Sequence, residues 1–147
     1  MVKYYLSYTE ENAEAAMRAD ARLKELGARN TADYFGDEKS ALADADFLFV
    51  LPSDPGQLEL PEIKRQWEYF DSEIRWKRKA RGEIVFVVQN EDALKNLPVR
   101  LKKYGYYLTD EIDDLAAYCK DASEATDDGA EKSESAVPEV KQIKYSP

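Results

Sequence analysis

A chain of 147 residues with 44% hydrophobic content can bury one cored domain and is too short for two full ones. A formal charge of −9 and a pI near 4.7 argue against a general binder of nucleic-acid backbones or of anionic membranes, because such proteins display a basic face. Histidine is absent, which removes Ser/His/Asp catalysis, Cys/His catalysis and any histidine-bearing zinc site. The single cysteine, Cys119, has no internal disulfide partner and reads as buried filler at the end of a helix. The longest apolar runs, YYL, FLFVLP and IVFVV, are strand-sized, and no charged and apolar leader precedes them, so the protein is expected to be soluble and cytoplasmic.

Val2 to Tyr8 is β-branched and aromatic enough for a strand, with Thr9 as the expected cap of a helix whose inner face carries Ala16, Leu23 and Leu26 and which Gly27 closes. RNTADYF is a weak strand at best, having only Tyr34 and Phe35 as strong formers, and a short helix follows around Asp37 to Ala45. Phe47 to Pro52 is a continuous apolar run of the kind found in parallel strands covered on both faces. A polar loop, SDPGQLELPE, leads into a long helix on which Ile63, Trp67, Phe70 and Ile74 recur at spacings of four, three and four and so share one buried face. Glu83 to Val88 repeats the buried-strand pattern, NLPVRLKK reads as a loop with one turn, and GYYL is a short last strand before a helix, DEIDDLAAYC, capped by Thr109.

Strands and helices alternate throughout. The expected fold is therefore α/β: a flavodoxin-like five-stranded parallel sheet with right-handed crossovers and helices on both faces. The domain should occupy residues 1–120. From Asp121 to residue 147 the chain is acidic and rich in Ser and Ala, with Tyr145 its lone aromatic residue, and reads as a flexible tail unless a neighbouring surface captures VPEVKQIKY.

Ligands of such sheets sit beyond the carboxyl ends of the strands where strand order reverses, here between the first and third strands. That rule selects Ser7, Tyr8 and Thr9, then Ser53, Asp54 and Gly56, and Gln66 on the long helix. Residue 66 lies about 60° round the helix from Ile63, at the edge of the apolar stripe, so Gln66 should be partly buried and aimed at the end of the sheet. A bland reading stands beside this one: a boundary glutamine hydrogen-bonded to a loop carbonyl. Hydroxyls, an aromatic ring and an amide together suit a sugar or nucleotide.

Three layouts of this kind fit less well. A phosphoacceptor receiver needs an acidic pair after the first strand, where Ser7 and Tyr8 stand, although Asp54 imitates its aspartate. A flavodoxin needs a Gly- and Thr-rich phosphate loop, and SYTEENA has no glycine. Nucleoside deoxyribosyltransferases, an N-glycosidic alternative, place small residues where Trp67 would crowd the packing.

The boxes YYLSYTEEN, ADADFLFVLPSD and LPVRLKKYGYYL resemble, in order and spacing, the opening box, third strand and closing segment of TIR (Toll/interleukin-1 receptor) domains, over nearly all of residues 1–119. In the NAD-cleaving members the helix after the third strand carries a catalytic glutamate, often as SxWVxxEWExF. IKRQWEYF is similar to that box, with Gln66 at the glutamate and Trp67, Glu68 and Phe70 at its successors. The upstream tryptophan of the box falls on Glu62.

The resemblance implies an NAD+ glycohydrolase or ADP-ribosyl cyclase with NAD+ as substrate and no cofactor or metal. Its substrate-binding residues would be Ser7, Tyr8, Thr9, Phe35, Ser53, Asp54, Glu62 and Trp67 around Gln66. Cleavage of the nicotinamide-ribose bond creates oxocarbenium character, which a carboxylate stabilises, whereas a glutamine keeps the shape and reach without the charge. Gln66 is then either an inactivating replacement of the glutamate or the mark of a natural non-catalytic TIR adaptor. Glu62, Glu68 and Glu59 are alternative carboxylates, of which 68 lies about 200° round the helix from 66. The resemblance further implies homo-oligomers through TIR-TIR contacts, with the loop near Tyr34 to Glu38 closing a neighbour's site. It also implies a separate effector or phage trigger protein, as for the stand-alone TIR proteins of Thoeris-type anti-phage defence.

Overall fold

The computed structural model describes residues 2–79, 82–128 and 141–142. Five parallel strands form the sheet in the order β2-β1-β3-β4-β5: β1 Lys3–Tyr8, β2 Arg29–Asn30, β3 Phe47–Leu51, β4 Glu83–Val88 and β5 Gly105–Leu108. A two-residue strand, β6 Lys141–Gln142, pairs antiparallel with Gly105 and Tyr106. The flavodoxin-like order expected from the sequence is the order observed. Four α-helices accompany it among the described residues: α1 Ala13–Glu25, α2 Glu38–Asp44, α3 Pro61–Arg75 and α4 Ile112–Asp128.

Two apolar layers sandwich the sheet. On one face α2 and α3 bring Leu42, Ile63, Trp67 and Phe70 against Leu48, Val50, Ile84 and Phe86. On the other, α1 and α4 bring Ala16, Leu23, Leu115 and Cys119 against Tyr4, Phe49, Val85 and Tyr107. Every residue of β3 is buried, because both faces of a central parallel strand carry helices. The rings of Tyr4 and Phe49 stack with centroids 5.5 Å apart, tying β1 to β3.

The α3 stripe packs as its spacing requires, and its far side is anchored by charge. Asp71, fully buried, accepts from the Tyr104 hydroxyl at 2.6 Å and from Arg100 Nε at 2.9 Å, and pairs with Lys103 at 3.2 Å. Lys79 folds back over the end of α2 and donates to the carbonyls of Leu42, Ala43 and Ala45, which no intrahelical donor reaches.

Local expectations fail where a side chain finds a tertiary partner. Thr9 makes no capping hydrogen bond; a 3-10 turn, Glu10–Asn12, precedes α1, and Asn12 spends its amide on the carbonyl of Leu51. Thr109 lies outside α4, and it is Glu111 whose carboxylate accepts from Leu108 N at 2.8 Å. Leu26 follows α1 and is 42% exposed, while Gly27, at φ +93°, takes the left-handed position that ends the helix. The RNTADYF strand shrinks to Arg29 and Asn30, because the Asn30 side chain caps the turn Thr31–Asp33 at Ala32 N. α4 runs on to Asp128, across the composition break expected to open a tail at residue 121, and Ser123 is buried. The rest of the expected tail, residues 129–140 and 143–147, lies outside the described residues.

Candidate functional site

β2 pairs with β1 only at Lys3 and Tyr4, so Tyr5 to Tyr8 run on with no described strand on that side. A cavity of about 530 Å³ occupies the gap. One wall comes from α1, through Ala13, Ala16, Met17 and Asp20; the opposite wall is Glu62 and Gln66 of α3. Tyr5, Leu6 and Tyr8 run between them, so the cavity straddles the edge of the sheet, within the size range of small-molecule sites.

Gln66 is 5% exposed and hydrogen-bonded at both ends of its amide. Ser7 Oγ donates to Gln66 Oε1 at 2.5 Å, and Gln66 Nε2 donates to Glu38 Oε1 at 3.0 Å. Arg65 grips the same carboxylate with Nε at 2.8 Å and Nη2 at 2.9 Å. The hydrogen bond from Arg65 holds the Glu38 carboxyl below its ordinary range, against burial and with help from Gln66. Glu38 is therefore an anion at neutral pH, and it dictates the amide's orientation: nitrogen toward the carboxylate, oxygen toward Ser7. One N–H of the amide and one lone pair of its oxygen remain, a donor and an acceptor suited to a diol.

The cavity is negatively charged. Glu10, Asp20 and Glu62 line it, and among the described residues no lysine or arginine does. Burial pushes the Asp20 carboxyl up, but hydrogen bonds from Tyr4, Asn30 and Lys24 outweigh burial and hold it below the usual carboxylate range. Burial first, and then the fields of Glu38 and Glu62, push the Tyr5 phenol up.

Of the residues singled out in the sequence, Tyr8, Thr9, Glu62 and Gln66 line this cavity, and Ser7 reaches it through Gln66. The others stand elsewhere. The mouth between β1 and β3, where strand reversal points, is filled: Ser53 Oγ and Gln57 Nε2 both donate to Glu11 Oε2, at 2.8 and 2.6 Å, and Gln57 Oε1 accepts from Ser53 N. Asp54 accepts from Gly56 N and caps its own turn. Long polar side chains close that mouth, whereas the shortness of β2 opens a space on the other flank of β1.

Trp67 is buried in the core with Nε1 donating to the carbonyl of Leu58, and it does not line the cavity. Phe35 is 39% exposed and also lies off it. Glu59 pairs with Lys64 and Glu68 with Arg100, so neither is a spare carboxylate for position 66. Glu38 carries no sequence signal beyond an acidic first turn after Asp37; only folding brings it to Gln66.

No protein-family model and no curated protein matches the chain. Among solved structures it is similar to a de novo designed Rossmann 2x3 fold protein, at 12% identity and a TM-score of 0.38, covering 94% of this chain and 98% of that one. No helix among the described residues is long and apolar enough to cross a membrane.

Proposed function

We propose that the chain is a TIR-type domain whose cavity takes the nicotinamide-ribose end of NAD+ or a related N-ribosyl compound, with cleavage suppressed because position 66 is an amide. The observation that carries this reading is the contact of Gln66 with Ser7 at the wall of a ligand-sized cavity beside the exit of β1.

The chemistry follows from the side chains. Nicotinamide departs as a neutral molecule from a cationic ring, so no general acid is needed and the absence of histidine is no obstacle. Gln66 offers hydrogen bonds to the ribose hydroxyls and no charge to the oxocarbenium-like transition state. Loss of one such electrostatic contribution costs about 2–4 kcal/mol, or roughly a hundredfold to a thousandfold in rate. Glu38 is an anion, but it sits behind Gln66 in the grip of Arg65 and does not line the cavity.

A second reading, a TIR adaptor that assembles without turnover, is favoured by the same amide: its contacts with Ser7 and Glu38 suit a native glutamine. Tyr34 and Phe35, 61% and 39% exposed, would then serve contacts between copies. Nicotinamide release from NAD+ by this chain and by Gln66→Glu separates the two. Turnover in the glutamate form above that of the parent supports the NAD site; none in either form leaves the adaptor.

A further inference from the structure

Backbone direction along β1 follows from two hydrogen bonds. The carbonyl of Val2 accepts from Arg29 N of β2 at 2.8 Å, and that of Lys3 accepts from Asp46 N on the β3 side at 2.9 Å. In a parallel ladder each residue turns its N–H and C=O toward one neighbour and successive residues alternate. Val2, Tyr4 and Leu6 therefore face the β2 side. Tyr4 is met there by Asn30 and by the Thr31 hydroxyl, which donates to its carbonyl at 3.3 Å. Leu6 meets the cavity. Its N–H and C=O form a donor and acceptor pair spaced as in any strand edge, and a planar carboxamide supplies the complement.

Charge adds a second selection. Glu10, Asp20 and Glu62 line the cavity without a lysine or arginine among the described residues, and Lys24, which meets Asp20 at 2.9 Å, is also paired with Asp33 at 2.7 Å. Arg65, whose field reaches Tyr5 and Glu62, is committed to Glu38, so a diphosphate entering here would meet an excess of carboxylates, whereas a pyridinium would be attracted. Thr9, at the same wall, carries a buried hydroxyl oxygen with no hydrogen-bond partner among the described residues.

We propose that this cavity selects a phosphate-free, cationic N-ribosyl pyridinium nucleoside over the diphosphate-bearing dinucleotide, reading its carboxamide with the backbone of Leu6. The inference rests on the N-ribosyl reading of the site given above and narrows its ligand.

The test is calorimetric titration of the intact chain with nicotinamide riboside, nicotinamide mononucleotide and NAD+ at low salt. The riboside should bind at least about tenfold tighter than either phosphate-bearing compound, and Glu62→Lys should narrow the gap several-fold. Pyridine riboside, which lacks the carboxamide, should bind about tenfold more weakly, and the Leu6 amide resonance should shift with nicotinamide riboside and not with it. NAD+ binding as tightly as the riboside or tighter overturns this inference and leaves the NAD reading standing. Binding of none of the three overturns both, and an unmoved Leu6 amide with tight riboside binding overturns the backbone readout.

Discussion

Ser7 Oγ stands 2.5 Å from Gln66 Oε1, and this contact joins the exit of β1 to the middle of α3 across a separation of 59 positions. Both residues are buried, so the hydroxyl has given its one proton to the amide and the amide is locked in one orientation. Ser7→Ala leaves a buried carbonyl oxygen short of a donor and should cost about 1–3 kcal/mol in urea unfolding. Ligand affinity should fall as well, since Glu38 alone then holds the amide. Unchanged stability would show that Gln66 Oε1 finds water instead.

Gln66→Glu should make the protein less stable at neutral pH, although the change is isosteric. The new carboxylate would face Glu38 at the 3.0 Å now spanned by an N–H···O bond. Two such carboxyls favour sharing a proton, which raises the pKa of one of them above its unfolded value. The sign follows: the deficit is small in acid, where the shared proton is retained, and grows as pH rises through the raised folded pKa, reaching about 1–3 kcal/mol by neutrality. The double variant Glu38→Gln, Gln66→Glu restores one acid and one amide and should recover most of the loss. Unfolding curves of the three variants between acid and neutral pH are the measurement.

Asp71 should govern stability in acid. Burial pushes its carboxyl up, but hydrogen bonds from Tyr104, Lys103 and Arg100 outweigh burial and hold it below the ordinary 3.8. A depressed carboxylate contributes stability that is present above its unfolded pKa and is lost as pH falls through the folded one. Asp71→Asn should cost about 2–3 kcal/mol at pH 7, by leaving the Tyr104 hydroxyl and the cations of Arg75, Arg100 and Lys103 without their anion. Its stability should also fall less steeply than the parent's below about pH 4. A parallel acid limb in both proteins would assign that limb to other carboxylates.

Cys119 is fully buried against the sheet, and burial first, then the field of Glu83, push its thiol well above the ordinary value. In the native protein it should be silent to a thiol-exchange reagent at pH 8 and become titratable only in denaturant. Rapid native labelling would place α4 off the sheet.

Much of the fold was legible because its signals are local. The unbroken apolar run Phe47–Leu51 announces a strand covered on both faces, and the spacing Ile63, Trp67, Phe70 announces one buried helix face, so the alternation of strands and helices follows from periodicity alone. Position 66 could be placed at the edge of that stripe by the geometry of a helix. What the sequence did not carry was which polar group meets which. That Asn12 would turn to Leu51 rather than cap its helix, that Ser53 and Gln57 would converge on Glu11 and close the expected mouth, and that Glu38 would lie against Gln66 are pairings between distant segments with no pattern to mark them.

The amino-acid order determined the layers, the strand type and the face on which Gln66 stands, since each depends on burying apolar side chains at a fixed period. Tertiary structure alone decided where the open space lies. Asn30 ends β2 early by capping the turn that follows it, and that leaves Leu6 facing a cavity where a longer strand would have covered it.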